Sequence, residues 1–347
     1  MRYPEFLKEK GTIGFVAPSF GCQMEPYRSA FENAAGKWKG AGYKLDLGPN
    51  CYAGEGVGIS NTPLKCGKEL TDYYISSEND CLISCGGGEL MCEILGYVDF
   101  EAIKRAKPKW YMGYSDNTNM TFLLTTLCDT ASIYGPCASA FGMEPWHPAI
   151  QDAFALLRGQ KLTFESYDMW EKESLKDEDN PFLPYNCTEP LQITMFDQEE
   201  GKLKKVEAVS MEGRLLGGCM DCLVNFLGTK YDNVDAFVEQ YKEDGFIWFL
   251  EACDLNVFSI RRAMWQMENA GWFRYVKGFL MGRPLNGESM MNLDHFGAVL
   301  GIAEKYGVPV VMDADLGHLP PAMPLITGSM AKIEGKNGRI SVSMELK

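Results

Sequence analysis

Short apolar, β-rich runs alternate with helical stretches along the first 145 residues, and this alternation restricts the possible folds more than any other feature of the chain. It is typical of a parallel sheet with helices on both faces. Ligands of such sheets bind at the carboxyl ends of the strands. We therefore predict an α/β fold with functional residues directly after its strands. The predicted strands cover 12–17, 43–47, 80–85, 109–112 and 132–134, and the first predicted helix covers 28–41.

The length and charge of the chain limit the classes of protein that it can belong to. A chain of 347 residues is long for one hydrophobic core and suggests two domains. Its 33 Lys and Arg residues against 47 Asp and Glu residues give a net charge of -14, which disfavours nucleic acid and anionic membranes as partners. No apolar run reaches the roughly 20 residues of a membrane helix, and the N-terminus lacks a signal core. We expect a cytoplasmic protein.

The sequence changes character after about residue 148. Acidic, poorly periodic segments predict a linker and a mobile loop as far as about residue 205. The later part again has the pattern of strands with crossover helices, followed by a β-rich tail. We expect an N-terminal α/β domain over 1–150, the linker and loop over 151–205, and a C-terminal domain over 206–347. Strands are predicted at 246–250, 278–281 and 308–312, and helices at 219–227 and 260–269.

Ser115 lies at a predicted turn from strand to helix, in the sequence Gly-Tyr-Ser-Asp-Asn at residues 113–117. A serine on such an elbow is lifted clear of the backbone, and the amide of Asp116 then points toward an oxyanion that forms beside it. Serine is also a preferred N-cap, so Ser115 is equally a candidate cap for a helix over 116–127. Taken alone, residues 109–118 favour the cap.

A nucleophilic serine needs a base, and the scarcity of histidine restricts the choice. His318 follows the predicted strand 308–312 through a short loop, at the sheet edge where Ser115 is expected. His295 opens a predicted helix after a polar loop, where a surface or capping role is favoured. His147 lies between two prolines at the end of the first domain. No other histidine occurs in the chain.

A catalytic histidine also needs an acid that orients its ring. Glu251 directly follows the apolar strand 246–250 and is the first candidate. The order Ser115, Glu251, His318 is the order in which α/β-hydrolases supply their triads, although the second glycine of their Gly-x-Ser-x-Gly motif is missing here. Other acids stay open as alternatives, namely Asp254, Asp313 and Asp315.

Two further motifs are a run of three glycines and a pair of closely spaced cysteines. Glycines 86–88 follow a predicted strand, so they suit either a tight turn or a loop that holds a phosphate or an oxyanion, with Gly87 as a second donor beside the serine. The dinucleotide fingerprint Gly-x-Gly-x-x-Gly is absent. Cys219 and Cys222 form a Cys-x-x-Cys without a second pair at zinc-finger spacing, so we predict reduced thiols and no metal site.

In combination these motifs resemble the family of LD-carboxypeptidases and microcin C immunity serine peptidases, along essentially the whole chain. Singly the motifs are weak, but their order is specific. Two positions depart from the family pattern: Glu89 replaces a small residue, and Cys219 stands where asparagine is frequent. The matching segments are 13–19, 85–88, 95–99, 113–118, 213–218, 249–251, 282–283 and 317–318 with the prolines that follow.

The resemblance implies a Rossmann-like N-terminal domain and a C-terminal α/β domain with a β-rich portion, with the active site between them. It implies a triad of Ser115, Glu251 and His318, and an oxyanion hole formed by the amides of Asp116 and Gly87. No metal or cofactor is implied, and a homodimer is expected. The substrate contacts are expected from Gly86, Gly88, Glu89 and Trp170.

The resemblance leaves the substrate open between two groups. Murein LD-carboxypeptidases remove a terminal D-alanine from a tetrapeptide, whereas the immunity peptidases cut an amide that joins an aspartate to a modified nucleotide. The acidic insertion with Trp170 favours the second group slightly, because an aromatic ring can stack on a base. Trp170 is equally a candidate anchor for its loop. A non-catalytic small-molecule binder and a nucleotide-dependent enzyme are alternatives of other classes.

Overall fold

The computed structural model describes residues Met1 to Lys347 and divides into two compact units. The first unit comprises Met1–Lys161 and Glu173–Asn186, and the second comprises Leu162–Lys172 and Cys187–Lys347. No helix in the structure has both the length and the apolar character that crossing a lipid bilayer requires. The domain boundaries inferred from the sequence, at 150 and 205, stay predictions.

The first unit contains the predicted parallel sheet. Its strands pair in the order β5-β4-β3-β1-β2, and every pair is parallel. The α/β character predicted for this part of the chain is therefore confirmed. The strands are β1 (Thr12–Val16), β2 (Lys44–Leu47), β3 (Cys81–Ser84), β4 (Trp110–Gly113) and β5 (Ser132–Tyr134).

Helices connect these strands, and three of them, Pro63–Ile75, Phe100–Arg105 and Pro148–Leu157, are not predicted from the sequence. Helix α2 buries Glu69 and Thr71 beside Leu70 and Tyr74, so polar residues interrupt the apolar pattern of its buried face. The helices are α1 (Tyr27–Gly40), α2 (Pro63–Ile75), α3 (Phe100–Arg105), α4 (Thr118–Thr126) and α5 (Pro148–Leu157). Short 3-10 helices cover Met91–Tyr97, Ser115–Asn117 and Ala138–Gly142.

The second unit is built on a larger mixed sheet, which confirms the predicted β-rich C-terminal part. Its strands pair in the order β10-β9-β14-β13-β12-β11-β16-β17-β6, and β11 to β14 are parallel. The sheet strands are β6 (Thr163–Glu165), β9 (Thr194–Glu199), β10 (Lys202–Val206), β11 (Ala208–Cys219), β12 (Phe246–Glu251), β13 (Val276–Gly282), β14 (Val310–Ala314), β16 (Met330–Lys336) and β17 (Arg339–Glu345).

The remaining elements of the second unit are shorter. A two-stranded ribbon pairs β7 (Met169–Glu171) with β8 (Cys187–Pro190), and β15 covers Leu325–Thr327. Strand β12 is buried along its whole length, which fits its uninterrupted apolar sequence. The helices are α6 (Met220–Leu223), α7 (Val234–Gln240), α8 (Val257–Asn269) and α9 (His295–Ala303), and a 3-10 helix covers Glu304–Tyr306.

The region predicted as linker and mobile loop, 151–205, is more regular than the sequence indicates. It holds most of α5, the whole of β6 to β9 and the start of β10. Strands of three residues, such as β6 and β7, are too short for a period of two to stand out from their acidic surroundings. The polar composition was therefore a poor guide to secondary structure here.

Gly217 tests whether strands β11 and β12 need a residue without a side chain where they approach each other. Gly217 has a φ of 152°, and a Cβ added there would lie 1.8 Å from the carbonyl oxygen of Phe249 on β12. We expect Gly217→Ala to destabilise the protein by about 2 kcal/mol or more. The matched control is Gly36→Ala, at an exposed position of α1 where an added Cβ meets no atom within 4 Å. Helix propensity should stabilise this variant by about 1 kcal/mol. Thermal unfolding midpoints that shift equally in both variants would contradict this account.

Candidate active site

Ser115 occupies a strained turn at the carboxyl end of β4. Its φ is 62°, a left-handed conformation that costs a residue other than glycine about 1–3 kcal/mol. The residue opens the 3-10 helix Ser115–Asn117, and α4 follows from Thr118. The N-caps are Tyr114 for the 3-10 helix and Asn117 for α4, so the alternative that Ser115 is a helix cap is wrong. Strain of this kind at a strand-to-helix turn is characteristic of a nucleophile elbow.

The glycine loop lies directly beside this serine. A Cβ added to Gly87 would lie 3.5 Å from the Oγ of Ser115, so the backbone of Gly87 lies close to the hydroxyl. The amide of Phe20 donates to the carbonyl of Gly87 at 2.7 Å and fixes the orientation of that peptide. Asn117 Nδ2 donates to the carbonyl of Gly86 at 2.8 Å and ties the loop to the elbow. Within the first unit, the structure thus brings the predicted loop and the predicted nucleophile together.

Two acidic side chains accompany the elbow. The carboxylate of Asp116 is buried and accepts hydrogen bonds from Ser19 Oγ at 2.5 Å and from the amide of Met91 at 2.9 Å. Burial raises the pKa of Asp116 to about 6. Glu89 is exposed at the end of the glycine loop, and its negative charge adds to the increase in the pKa of Asp116. This side of the loop is therefore electronegative.

Glu251 and His318 meet inside the second unit. Glu251 is the last residue of β12 and is 1% exposed. Its Oε2 lies 2.8 Å from Nδ1 of His318, on the loop after β14. Gly317 makes this approach possible, because a Cβ added to it would lie 2.7 Å from the same carboxylate oxygen. The predicted pairing of an acid at one strand end with a histidine after another is present in the structure.

The electrostatic surroundings of His318 favour its cation. Burial lowers the pKa of His318, but the carboxylate of Glu251, helped by hydrogen bonding with Cys253, outweighs burial and raises the pKa above its ordinary value. An imidazole held in this way keeps one ring orientation and is stabilised when it carries a proton. These are the properties that a general base needs after it has accepted a proton.

The alternative acids have other partners. Asp313 lies 3.0 Å from Nε2 of His295, and Asp315 lies 2.8 Å from Nη1 of Arg283. Asp254 is exposed. Among the four candidate acids, Glu251 is the one in contact with His318.

The other two histidines have structural contacts of their own. His147 is the N-cap of α5, with Nδ1 accepting from the amide of Ala149 at 3.1 Å. His295 is half-buried and pairs with Asp313, while Asp294 caps α9. Helix α9 begins at His295 as predicted, but Asp294 caps it, so the capping role for His295 is wrong.

Trp170 lies on the two-stranded ribbon and has contacts that anchor it. Its ring centroid lies 5.2 Å from the guanidinium of Arg283, and its Nε1 donates to the carbonyl of Pro190 at 3.1 Å. The amide of Glu171 donates to the carbonyl of Pro320 at 2.6 Å, so the ribbon is attached to the loop that carries His318. Trp170 is only partly buried and keeps some surface open.

Comparison with known proteins identifies the family. A model described as the LD-carboxypeptidase N-terminal domain matches residues 13–135, and one described as the LD-carboxypeptidase C-terminal domain matches residues 212–333. The chain belongs to the LD-carboxypeptidase family. This membership makes it a serine carboxypeptidase by class, and it confirms the resemblance inferred from the order of the motifs.

Relatives of this LD-carboxypeptidase carry names from both substrate groups. "Microcin C7 self-immunity protein MccF" of Escherichia coli is 22% identical over 293 residues, which are 82% of this chain and 79% of that protein. "Probable murein peptide carboxypeptidase" of Bacillus subtilis (strain 168) is 23% identical over 341 residues, 94% of this chain and 90% of that protein. A solved structure of MccF in complex with aspartyl sulfamoyl adenosine shares the fold, with a TM-score of 0.80, 20% identity and 100% coverage of both chains.

Three polar residues that hold the site in place lie in segments that carry the family resemblance, but the sequence predicts no role for them. Ser19 and Asn117 are fully buried and bind the elbow and the glycine loop. Arg283 is 5% exposed and donates to the carbonyls of Asp313 and Leu319 on either side of His318. No spacing rule links such distant partners, although their positions at strand ends are a usable signal.

Nuclear magnetic resonance titration of the three histidines tests the electrostatic description of this LD-carboxypeptidase. In Glu251→Gln, removal of the carboxylate leaves burial unopposed, so the pKa of His318 should fall by about one pH unit or more. The matched control is Asp313→Asn, which should lower the pKa of His295 and leave His318 unchanged. A pKa of His318 that is the same in Glu251→Gln as in the parent protein would contradict the assigned pairing.

Proposed function

We propose that the protein cleaves a terminal amide bond with Ser115 as nucleophile, His318 as general base and Glu251 as the acid that orients His318. The left-handed backbone of Ser115, held beside a glycine loop, is the observation that carries this proposal. Two further observations support it. Glu251 and His318 are 2.8 Å apart with the carboxylate buried, and the chain belongs to a carboxypeptidase family.

The proposed reaction proceeds through an acyl-enzyme. His318 takes the hydroxyl proton of Ser115 as the oxygen attacks the scissile carbonyl, and Glu251 stabilises the resulting imidazolium. The amides of Asp116 and Gly87 donate to the tetrahedral oxyanion. Collapse of this intermediate breaks the C–N bond, and His318 returns the proton to the departing nitrogen. Water, activated by the same histidine, then hydrolyses the ester on Ser115.

We propose a peptidyl or aminoacyl nucleotide amide as the substrate, with Trp170 stacking on the base and residues 86–89 in contact with the acyl portion. The MccF complex with aspartyl sulfamoyl adenosine supports this choice, as does the open surface of Trp170. A murein tetrapeptide is the second candidate, because the relative named for murein peptides matches 94% of this chain. The predicted homodimer and cytoplasmic location remain part of the proposal.

Parallel assays on the two candidate substrates test both the chemistry and the choice of substrate. Aspartyl-sulfamoyl-adenosine and a murein tetrapeptide are offered to the purified protein, and the released products are separated by chromatography. Ser115→Ala should lower kcat on the accepted substrate by about 10³-fold or more while the thermal midpoint is kept. The control is Ser77→Ala, an exposed serine that should retain full activity. Undiminished hydrolysis by Ser115→Ala would exclude the proposed nucleophile.

Substitution of Trp170 tests the proposed nucleotide contact. Loss of stacking on a base costs about 1–3 kcal/mol, so Trp170→Ala should raise KM for the nucleotide amide by about tenfold or more. Trp170→Phe should recover most of that loss, because it keeps an aromatic face. Trp265→Ala, at a tryptophan that is 56% exposed, is the control. An unchanged KM in Trp170→Ala would show that the ring only anchors its ribbon.

A further inference from the structure

The carboxylate of Asp116 joins three segments that surround Ser115. Its Oδ2 accepts from Ser19 Oγ, on the segment after β1, and from the amide of Met91, just beyond the glycine loop. Its Oδ1 accepts from Asn119 Nδ2 on α4 at 3.0 Å. A single buried side chain, 3% exposed, therefore connects the elbow to both neighbouring segments.

The segment after β1 is in turn interlocked with the glycine loop. Ser19 Oγ lies 2.0 Å from the position of a Cβ added to Gly88, so the hydroxyl occupies the space that only a glycine leaves open. The next residue, Phe20, donates its amide to the carbonyl of Gly87 at 2.7 Å. Movement of Ser19 is thus transmitted to Gly87, and the bond from Ser19 to Asp116 restrains that movement.

We infer that the Asp116 side chain is a positioning residue that fixes the distance between the amide of Asp116 and the amide of Gly87. The inference rests on the proposed function, in which these two amides bind the oxyanion. The side chain does not touch the reacting atoms itself. It acts through Ser19, which lies against Gly88, and through Met91, three residues beyond Gly88.

The ionised carboxylate of Asp116 does not itself stabilise the fold at neutral pH. Burial, with the charge of Glu89, raises the pKa of Asp116 to about 6, and Tyr111 and Cys137 are the other titratable groups that interact with its charge. The folded protein therefore binds a proton at Asp116 more tightly than the unfolded chain does. The contribution of this group to stability falls as the pH rises from about 4 to about 6. At neutral pH the ionised carboxylate therefore costs stability.

Glu69 is a matched control in the same unit. It is 4% exposed and accepts from the amides of Ala17 at 3.0 Å and Asn50 at 2.9 Å, so it joins the end of β1 to the segment after β2. Burial also raises the pKa of Glu69 above its ordinary value. Neither of these bonds involves the elbow or the glycine loop. Replacement of Glu69 by glutamine therefore removes a buried charge without displacing the amides of Asp116 and Gly87.

The experiment measures kcat, KM and the thermal midpoint at pH 7 for Asp116→Asn, Glu69→Gln and Ser19→Ala, with the substrate that the parallel assays identify. In Asp116→Asn, kcat should fall by about 10-fold to 100-fold, since small displacements of a catalytic group have effects of this size. Its KM should stay within about threefold, and its thermal midpoint should not fall. Glu69→Gln should keep the parental kcat.

Ser19→Ala provides a second route if Asp116→Asn folds poorly. It removes the donor and keeps the carboxylate, so kcat should fall in the same direction. The double variant should be no slower than the slower single variant, because both changes break one connection.

The outcomes separate this inference from the proposed function. If Ser115→Ala is inactive while Asp116→Asn and Ser19→Ala keep kcat within twofold of the parent, the positioning role is wrong and the proposed function stands. If Asp116→Asn and Glu69→Gln lose kcat and thermal stability to the same extent, the role of Asp116 is structural. If Ser115→Ala retains turnover, the proposed function itself fails.

Discussion

The backbone of Ser115 imposes the central constraint on the first unit. A left-handed serine at the end of a buried strand is unfavourable by itself, so it persists only where its surroundings determine it. Asn117 supplies part of that restraint, because it accepts from Tyr111 Oη at 2.5 Å and donates to the carbonyl of Gly86. Gly113 has no room for a side chain, since an added Cβ would lie 2.7 Å from Asn117. The residues around the elbow are thus fixed by each other.

In the second unit, a buried ion pair rather than a strained backbone fixes the loop that carries His318. Arg283 and Asp315 form an ion pair of 2.8 Å with both side chains buried, and Arg283 also donates to carbonyls on both sides of His318. A buried pair is weak evidence for stability, because removal of two charges from water offsets much of their attraction. Its directional bonds nevertheless fix one arrangement of the loop, which is what the contact of His318 with Glu251 requires.

Residues whose chemistry is rare, or whose position in the pattern of strands is distinctive, can be predicted from the sequence. Ser115, Glu251 and His318 each follow an apolar strand, and the scarcity of histidine narrows the choice of base. The parallel sheets follow from the same periodicity. The supporting contacts are different, because Ser19 and Asp116 are 97 residues apart and no local pattern relates a serine to an aspartate at that separation. Strands β6 and β7 within 151–205 are not predicted because they are short and polar.

Polar groups buried near the carboxyl ends of strands lower the stability of the first unit but fix its local geometry. Asp116 and Glu69 are held in the folded protein at pKa values above their ordinary range, so each costs stability when ionised. A fold optimised only for stability would replace them with apolar side chains of similar volume. The hydrogen bonds of Asp116 instead join the segments that follow β1 and β4, which is where a parallel sheet places its ligand-binding residues. A buried carboxylate at Asp116 is therefore less stable than an apolar side chain would be, but it holds the elbow in a single geometry.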